Sequence, residues 1–177
     1  TPWWLKAVVA LTRFWRRRVD VIEVLGEDQR RRLAESGVDP VRTELRRDPS
    51  SVRFVPGMRA ATPPAGLAGR KIVLYSGNWG VPHDHQTFLD GYVRFCRSHP
   101  SVSGMWLNTS TTRAGLVARE LEHLGLACAQ TPLVPLEELP AVLLAADVHL
   151  VTLSDAFVGY ALPSKVYACI ESGKPVL

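Results

Sequence analysis

Two segments hold residue types suited to receiving an anion. In Ser76-Gly77-Asn78-Trp79-Gly80 the two glycines let backbone N–H groups approach a phosphate with no Cβ in the way. The spacing is neither that of a Walker loop nor that of the dinucleotide fingerprint, and glycine serves an ordinary strand-to-helix turn equally well. Gly159-Tyr160-Ala161-Leu162-Pro163-Ser164-Lys165 is more informative. Ser164 suits an N-cap that leaves the first N–H groups of a helix facing an anion, and Lys165 adds a positive charge there. A lysine at that end opposes the helix dipole, so a negative ligand or a carboxylate is expected to compensate it. The bland alternative is an ordinary serine cap and a solvated lysine.

Other candidate groups point elsewhere. His83-Asp84-His85 invites a metal reading, but Asp84 is explained as an N-cap and histidines at i and i+2 do not share a helical face, so loop histidines near a polar ligand are expected and no metal site. Ser154-Asp155-Ala156 offers one carboxylate, not the pair a metal–diphosphate clamp would use. No Ser-His-Asp order or activated cysteine is legible. Cys96, Cys128 and Cys169 are odd in number and lie in mostly apolar stretches, which reads as core thiols in a reducing compartment. The net charge of +4 favours anionic partners without choosing among them. Arg30, Arg31 and Arg32, with Arg46 and Arg47, lack the interleaved aromatics of a single-strand platform, so they read as a solvated face and nucleic acid is not expected as a partner.

The elements that must position these loops follow from periodicity. Lys71–Tyr75 reads as a strand, followed by the loop Ser76–Pro82 and a helix capped by Asp84 with Phe88, Leu89, Tyr92, Phe95 and Cys96 on its apolar face. Strand Gly104–Leu107, helix Ala114–Leu124 and strand Leu126–Ala129 come next. Helix Leu136–Ala146 follows, with Pro140 acceptable only near its first turn, then strand Val148–Leu153, helix Lys165–Ser172 and a last strand from Pro175. Short apolar strands alternating with amphipathic helices predict an α/β, Rossmann-like doubly wound parallel sheet. Ligands of such sheets bind beyond the carboxyl ends of the strands, which directs attention to the loops after Tyr75, Leu107, Ala129 and Leu153.

Upstream, Thr1 and Pro2 read as N-cap and first residue of a helix reaching Arg18, with Trp4, Val8, Leu11 and Trp15 along one face and Arg13, Arg16, Arg17 and Arg18 near its end. That face suits packing on protein or lying in a membrane interface, and the apolar run is too short to span a bilayer. Val19–Leu25, Glu27–Ser36 and Val41–Leu45 read as strand, helix and strand. The domain expectation is therefore 1–45 as a helix plus a strand-helix-strand tail, 46–70 as a linker with four prolines, and 71–177 as the ligand-binding domain. A start at Thr1 and an end at Val176-Leu177, inside an expected strand, read as the limits of a piece of something longer. No small-residue cleavage site suggests a signal peptide, and a cytoplasmic chain, soluble or peripheral on the inner membrane, is expected.

The ordered set Val73–Asn78, Leu133–Pro140, Ala146-Asp147-Val148, Leu162-Pro163-Ser164-Lys165 and Gly173–Val176 resembles the C-terminal half of GT-B-fold glycosyltransferases, group 1, family 4 type, as in bacterial polysaccharide biosynthesis. Residues 19–45 weakly resemble the end of the N-terminal half. The resemblance implies transfer of a sugar from a nucleotide diphosphate sugar to a polysaccharide or lipid-linked acceptor, with retained configuration and with no metal or other cofactor. By position, Gly77 and Asn78, with Trp79 and Gly80, would lie beside the diphosphate. Ser164 and Lys165, preceded by Tyr160, Leu162 and Pro163, would bind it, and the backbone at Val134 would meet the base. The family's frequent glutamate pair would fall near Tyr160 and Ala168, neither of them acidic, and the Ser76–Pro82 loop lacks the arginine many relatives place there. Catalytic residues are expected outside this chain, which would bind nucleotide without turnover. Two rival readings are a nucleotide-sugar epimerase of similar fold, and a non-enzymatic module that uses the N-terminal helix to hold a membrane or a partner.

Overall fold

The computed structural model describes residues 2–47 and 50–177, in two compact units: residues up to 48 together with Asp155–Leu162, and residues 49–154 together with Pro163–Leu177. The smaller unit begins with helix α1 (Trp3–Arg16), in which no residue is buried. Pro2 stands one place before the first helical residue, and the cap expected at Thr1 lies outside the described residues. Strands β1 (Ile22–Val24) and β2 (Thr43–Leu45) pair in parallel, joined through helix α2 (Glu27–Glu35) and a 3-10 turn at Pro40–Arg42. Both strands are shorter than the apolar runs suggested, and among the described residues each ladders with the other alone. The Asp155–Leu162 segment docks here: Gly159 N–H donates to Asp28 Oδ2 at 2.9 Å, and the Arg32 guanidinium lies 3.2 Å over the Tyr160 ring.

The larger unit is a four-stranded all-parallel sheet in the order β5 (Cys128–Thr131), β4 (Ser103–Asn108), β3 (Lys71–Ser76), β6 (Val148–His149). The chain steps outward from β3 to β4 to β5, then returns across to β6 on the other side of β3. Because each crossover is right-handed, that reversal sends the helices to opposite faces. Helices α3 (Gln86–Ser98) and α4 (Thr112–His123) cover one face, where Leu89, Tyr92, Val117 and Leu121 pack on Tyr75, Met105 and Leu107. Helices α5 (Leu139–Leu144) and α6 (Lys165–Glu171) cover the other, packing Val142, Leu143 and Ala168 on Ile72, Leu74 and Trp106. Alternate residues of β3 and β4 thus feed two separate cores, and β4 is buried along its whole length.

Three expectations are corrected. The proline-rich stretch before Arg70 does not behave as a free linker, because Val52 and Leu67 are buried in the second core and Ala61 N–H donates to Ala141 O at 2.8 Å. The strand expected over Val148–Leu153 ladders only at Val148 and His149. Beyond that point Leu150 N–H still reaches Leu74 O, and the expected last strand is a single bridge between His149 and Val176. Helix α5 is shorter than Leu136–Ala146, which places Pro140 in its first turn, where its missing N–H is harmless. Asp147 fastens β6 to β3: its Oδ2 accepts from Ile72 N at 2.8 Å and its Oδ1 from Lys71 Nζ at 3.1 Å.

Candidate functional site

The strand order puts the switch in chain direction between β3 and β6, and ligands of such sheets bind beyond the carboxyl ends of the strands at that point. Two hydrogen bonds tie the loops after β3 and β6 together: His83 Nδ1 to Thr152 O at 2.5 Å and Ser154 N to Pro82 O at 2.8 Å. Buried Asn108 braces the next strand ends. It accepts from Ser76 Oγ at 2.9 Å and donates to Pro132 O at 2.6 Å, joining the loops after β3, β4 and β5.

Lys165 enters from the first turn of α6. Its Nζ is buried without a hydrogen-bond partner and rests 3.6 Å above the centroid of the Tyr75 ring. Gly77, immediately after β3, has φ +115, a conformation that favours glycine, and a Cβ there would stand 3.3 Å from Lys165 Nζ and press on the end of that side chain. Burial pulls the Lys165 pKa from an ordinary 10.5 down to about 8. A desolvated ammonium with no counter-charge is the arrangement an incoming anion relieves.

The remaining expected residues divide. Asn78 is exposed beside this point, and its carbonyl accepts the Tyr75 hydroxyl at 2.9 Å. Gly80 offers its carbonyl to Arg113 Nη1 at 3.0 Å. Trp79 does not open to a ligand. At 1% exposure it stacks on Tyr75 with centroids 4.1 Å apart, which makes it part of the core. Ser164 occupies the N-cap position of α6 and is exposed, but its hydroxyl makes no capping bond; Pro163 before it accepts from Val166 N. Val134 is half-buried against the second core in the loop after β5. Tyr160 and Leu162 belong to the smaller unit.

Sequence reasoning missed Arg113, and it read His83 only as a loop histidine near a polar ligand, without its bond to Thr152. Arg113, from the first turn of α4, reaches the loop after β3 by its bond to Gly80 O, and no local signal announces that reach. His83 belongs to the same cluster: burial holds its pKa below the usual value, and the charges of Lys165 and Arg113 add to that, against the raising effect of its bond to Thr152. Buried polar atoms without partners include Lys165 Nζ, Thr152 Oγ1 and Trp79 Nε1, all on residues of these two loops or of α6. A neighbouring cavity of about 600 Å³ is lined chiefly by apolar residues such as Phe88, Tyr92, Phe95 and Leu150, and its chemistry does not suit a diphosphate. Among the described residues no His, Cys, Asp or Glu cluster could hold a metal ion.

No family model matches the sequence, and no curated protein matches it. Solved structures match the fold. A variant of S. aureus TarM in complex with Fondaparinux, alpha-GlcNAc-glycerol and UDP is 14% identical with a TM-score of 0.64, over 90% of this chain and 29% of that one. Anabaena HepE in complex with UDP and glucose is 12% identical with a TM-score of 0.69, over 94% of this chain and 46% of that one. The GtfA/B complex is 14% identical with a TM-score of 0.60, over 94% and 31%. This chain spans less than half the length of each of these proteins. Over the part it shares with them, it has the Rossmann-like α/β fold of GT-B glycosyltransferases.

Proposed function

We propose that this chain is the donor-binding part of a glycosyltransferase that takes a sugar from a nucleotide diphosphate sugar and passes it to a glycan or lipid-linked acceptor. The observation that supports it best is the unpartnered, buried Lys165 ammonium beside Gly77, just past the carboxyl end of β3. As the glycosidic bond to the diphosphate breaks, negative charge grows on the departing oxygen. A preorganised ammonium and backbone amides in a water-poor site stabilise that charge without reorganising. Such groups can do what a metal ion would otherwise do, so the proposal includes metal independence, and the resemblance adds retention of configuration. The acceptor and any base belong to residues outside this chain, whose own activity is limited to binding. Calorimetry with UDP-, GDP- and ADP-glucose on the wild type and on Lys165→Ala tests the reading: one nucleotide should bind, and the variant should lose at least about tenfold in affinity. Indifference of the wild type to all three refutes it.

A peripheral membrane position is a second proposal, favoured by α1. Its apolar arc of Trp3, Trp4, Leu11 and Trp15 is exposed, its polar side holds Lys6, Arg13 and Arg16, and there is no acidic residue before Asp20. Among the described residues no helix is long and apolar enough to cross a membrane, so the contact would be interfacial, on the cytoplasmic face. Vesicles of phosphatidylcholine with 30 mol% phosphatidylglycerol should sediment the wild type but not a variant with all three tryptophans changed to alanine, a composition chosen as an anionic surface of about that fraction. Equal sedimentation of the two rejects it.

A further inference from the structure

We propose that His83 is a proton-carrying phosphate ligand: on binding of the nucleotide sugar its Nε2 takes a proton from solvent and donates it as a hydrogen bond to the diphosphate. The inference rests on the donor-site reading above and adds a residue that neither the glycine loop nor the lysine-bearing helix supplies.

The geometry begins with the ring's tautomer. Thr152 O can only accept, so the 2.5 Å contact requires the proton on Nδ1, and in the neutral ring Nε2 bears the lone pair. The same bond holds the ring between the loops that follow β3 and β6. There it stands edge-on to Tyr75, centroids 6.1 Å apart, while Lys165 Nζ sits on that ring. The charged groups around His83 are Lys165 from α6 and Arg113 from α4. Tyr75 from β3 is held neutral by burial, which raises its pKa. On its own loop, Asp84 is occupied in accepting from the N–H groups of Gln86 and Thr87, and His85 stands edge-on to Trp79.

Lys165 and Arg113 thus both act on His83, and of the three only histidine has an ordinary pKa close to neutrality. Burial and the nearby positive charges favour its neutral form in the empty site. A diphosphate diester brings two negative charges and has no proton of its own to exchange near neutral pH, so it reverses the balance at the histidine.

The test uses the full chain at pH 6.5, where Lys165 is already charged. UDP-, GDP- or ADP-glucose is titrated by calorimetry in MES and in Bis-Tris, buffers of unequal ionisation heat. The wild type should take up about half a proton or more per site, and affinity should strengthen as pH falls from 8 to 6. His83→Asn keeps a donor for Thr152 O but does not titrate. It should show no buffer dependence at pH 6.5, with affinity reduced about three- to tenfold at pH 6 and by less at pH 8. Binding with equal heats in the two buffers, or undiminished uptake in His83→Asn, overturns this proposal and leaves the donor site standing. Failure of the wild type to bind any of the three nucleotide sugars overturns both.

Discussion

Replacing Lys165 by methionine removes one buried charge and keeps the aliphatic stem, and the structure sets the size of the response. Burial lowers the pKa from 10.5 to about 8, which at about 1.4 kcal/mol per tenfold corresponds to about 3 kcal/mol against the charged form in the folded, ligand-free chain. The Tyr75 ring beneath Nζ returns about 1–2 kcal/mol as a desolvated cation–π contact. Lys165→Met should therefore be more stable than the wild type by about 1–2 kcal/mol at pH 7, a rise in Tm of about 2–6 °C. The sign with pH follows from proton counts. Between about 8 and 10.5 the unfolded lysine holds a proton that the folded one has lost, so wild-type stability rises with pH across that window. The variant lacks that rise, and its advantage should shrink by pH 10. Thermal unfolding of both proteins at pH 7 and pH 10 measures this, and calorimetry should show nucleotide-sugar affinity lowered by about 30-fold or more. A variant that melts at or below the wild type at pH 7 would refute the view that this ammonium is held at a cost for the sake of a ligand.

Further expectations concern the scaffold. Gly77→Ala should lose about 1–2 kcal/mol in urea unfolding, because φ +115 strains any L side chain, and its affinity for nucleotide sugar should drop with the displacement of Lys165. Unchanged binding would mean that the glycine and the lysine do not share a ligand. His149, 1% exposed and bonded through Nε2 to Ser172 Oγ at 3.0 Å, has its pKa pushed down to about 4 by burial and then by Lys174. The unfolded histidine takes a proton below about 6.5 and the folded one refuses it until about 4, so stability should fall as pH drops through that range. His149→Gln should flatten the slope between pH 7 and 5; equal slopes would exclude this histidine as the cause. Asp147→Ala should cost about 1–2 kcal/mol by orphaning the Ile72 N–H, whereas Lys71→Ala, at the exposed end of the ion pair, should stay within about 0.5 kcal/mol. Equal losses would show that the ion pair, and not the backbone bond, fastens β6.

The alternation of elements was legible because burial imposes period. Leu89, Tyr92 and Cys96 recur on one face of α3, and Val73 and Tyr75 alternate with Ile72 and Leu74 between the two cores. Ends were less legible, since an apolar run records burial and not pairing: residues 150–153 are apolar enough for a strand, but the ladder stops at His149. The site was half legible. Lys165 and Gly77 stood out by residue type and local context. Trp79 misled, because an aromatic ring in a glycine loop looks the same in sequence whether it faces a ligand or stacks on Tyr75.

By itself, then, the sequence determined what depends on near neighbours along the chain: helix and strand periods, positive-φ glycines, and a lysine placed against the helix dipole. Only the tertiary structure decided the strand order that lays β3 against β6. That order brings His83, Arg113 and Lys165 together from three distant stretches and leaves one ammonium buried without a partner. Local rules act over a few residues, whereas desolvation and the summed field of convergent charges exist only once separate segments have packed around a common point.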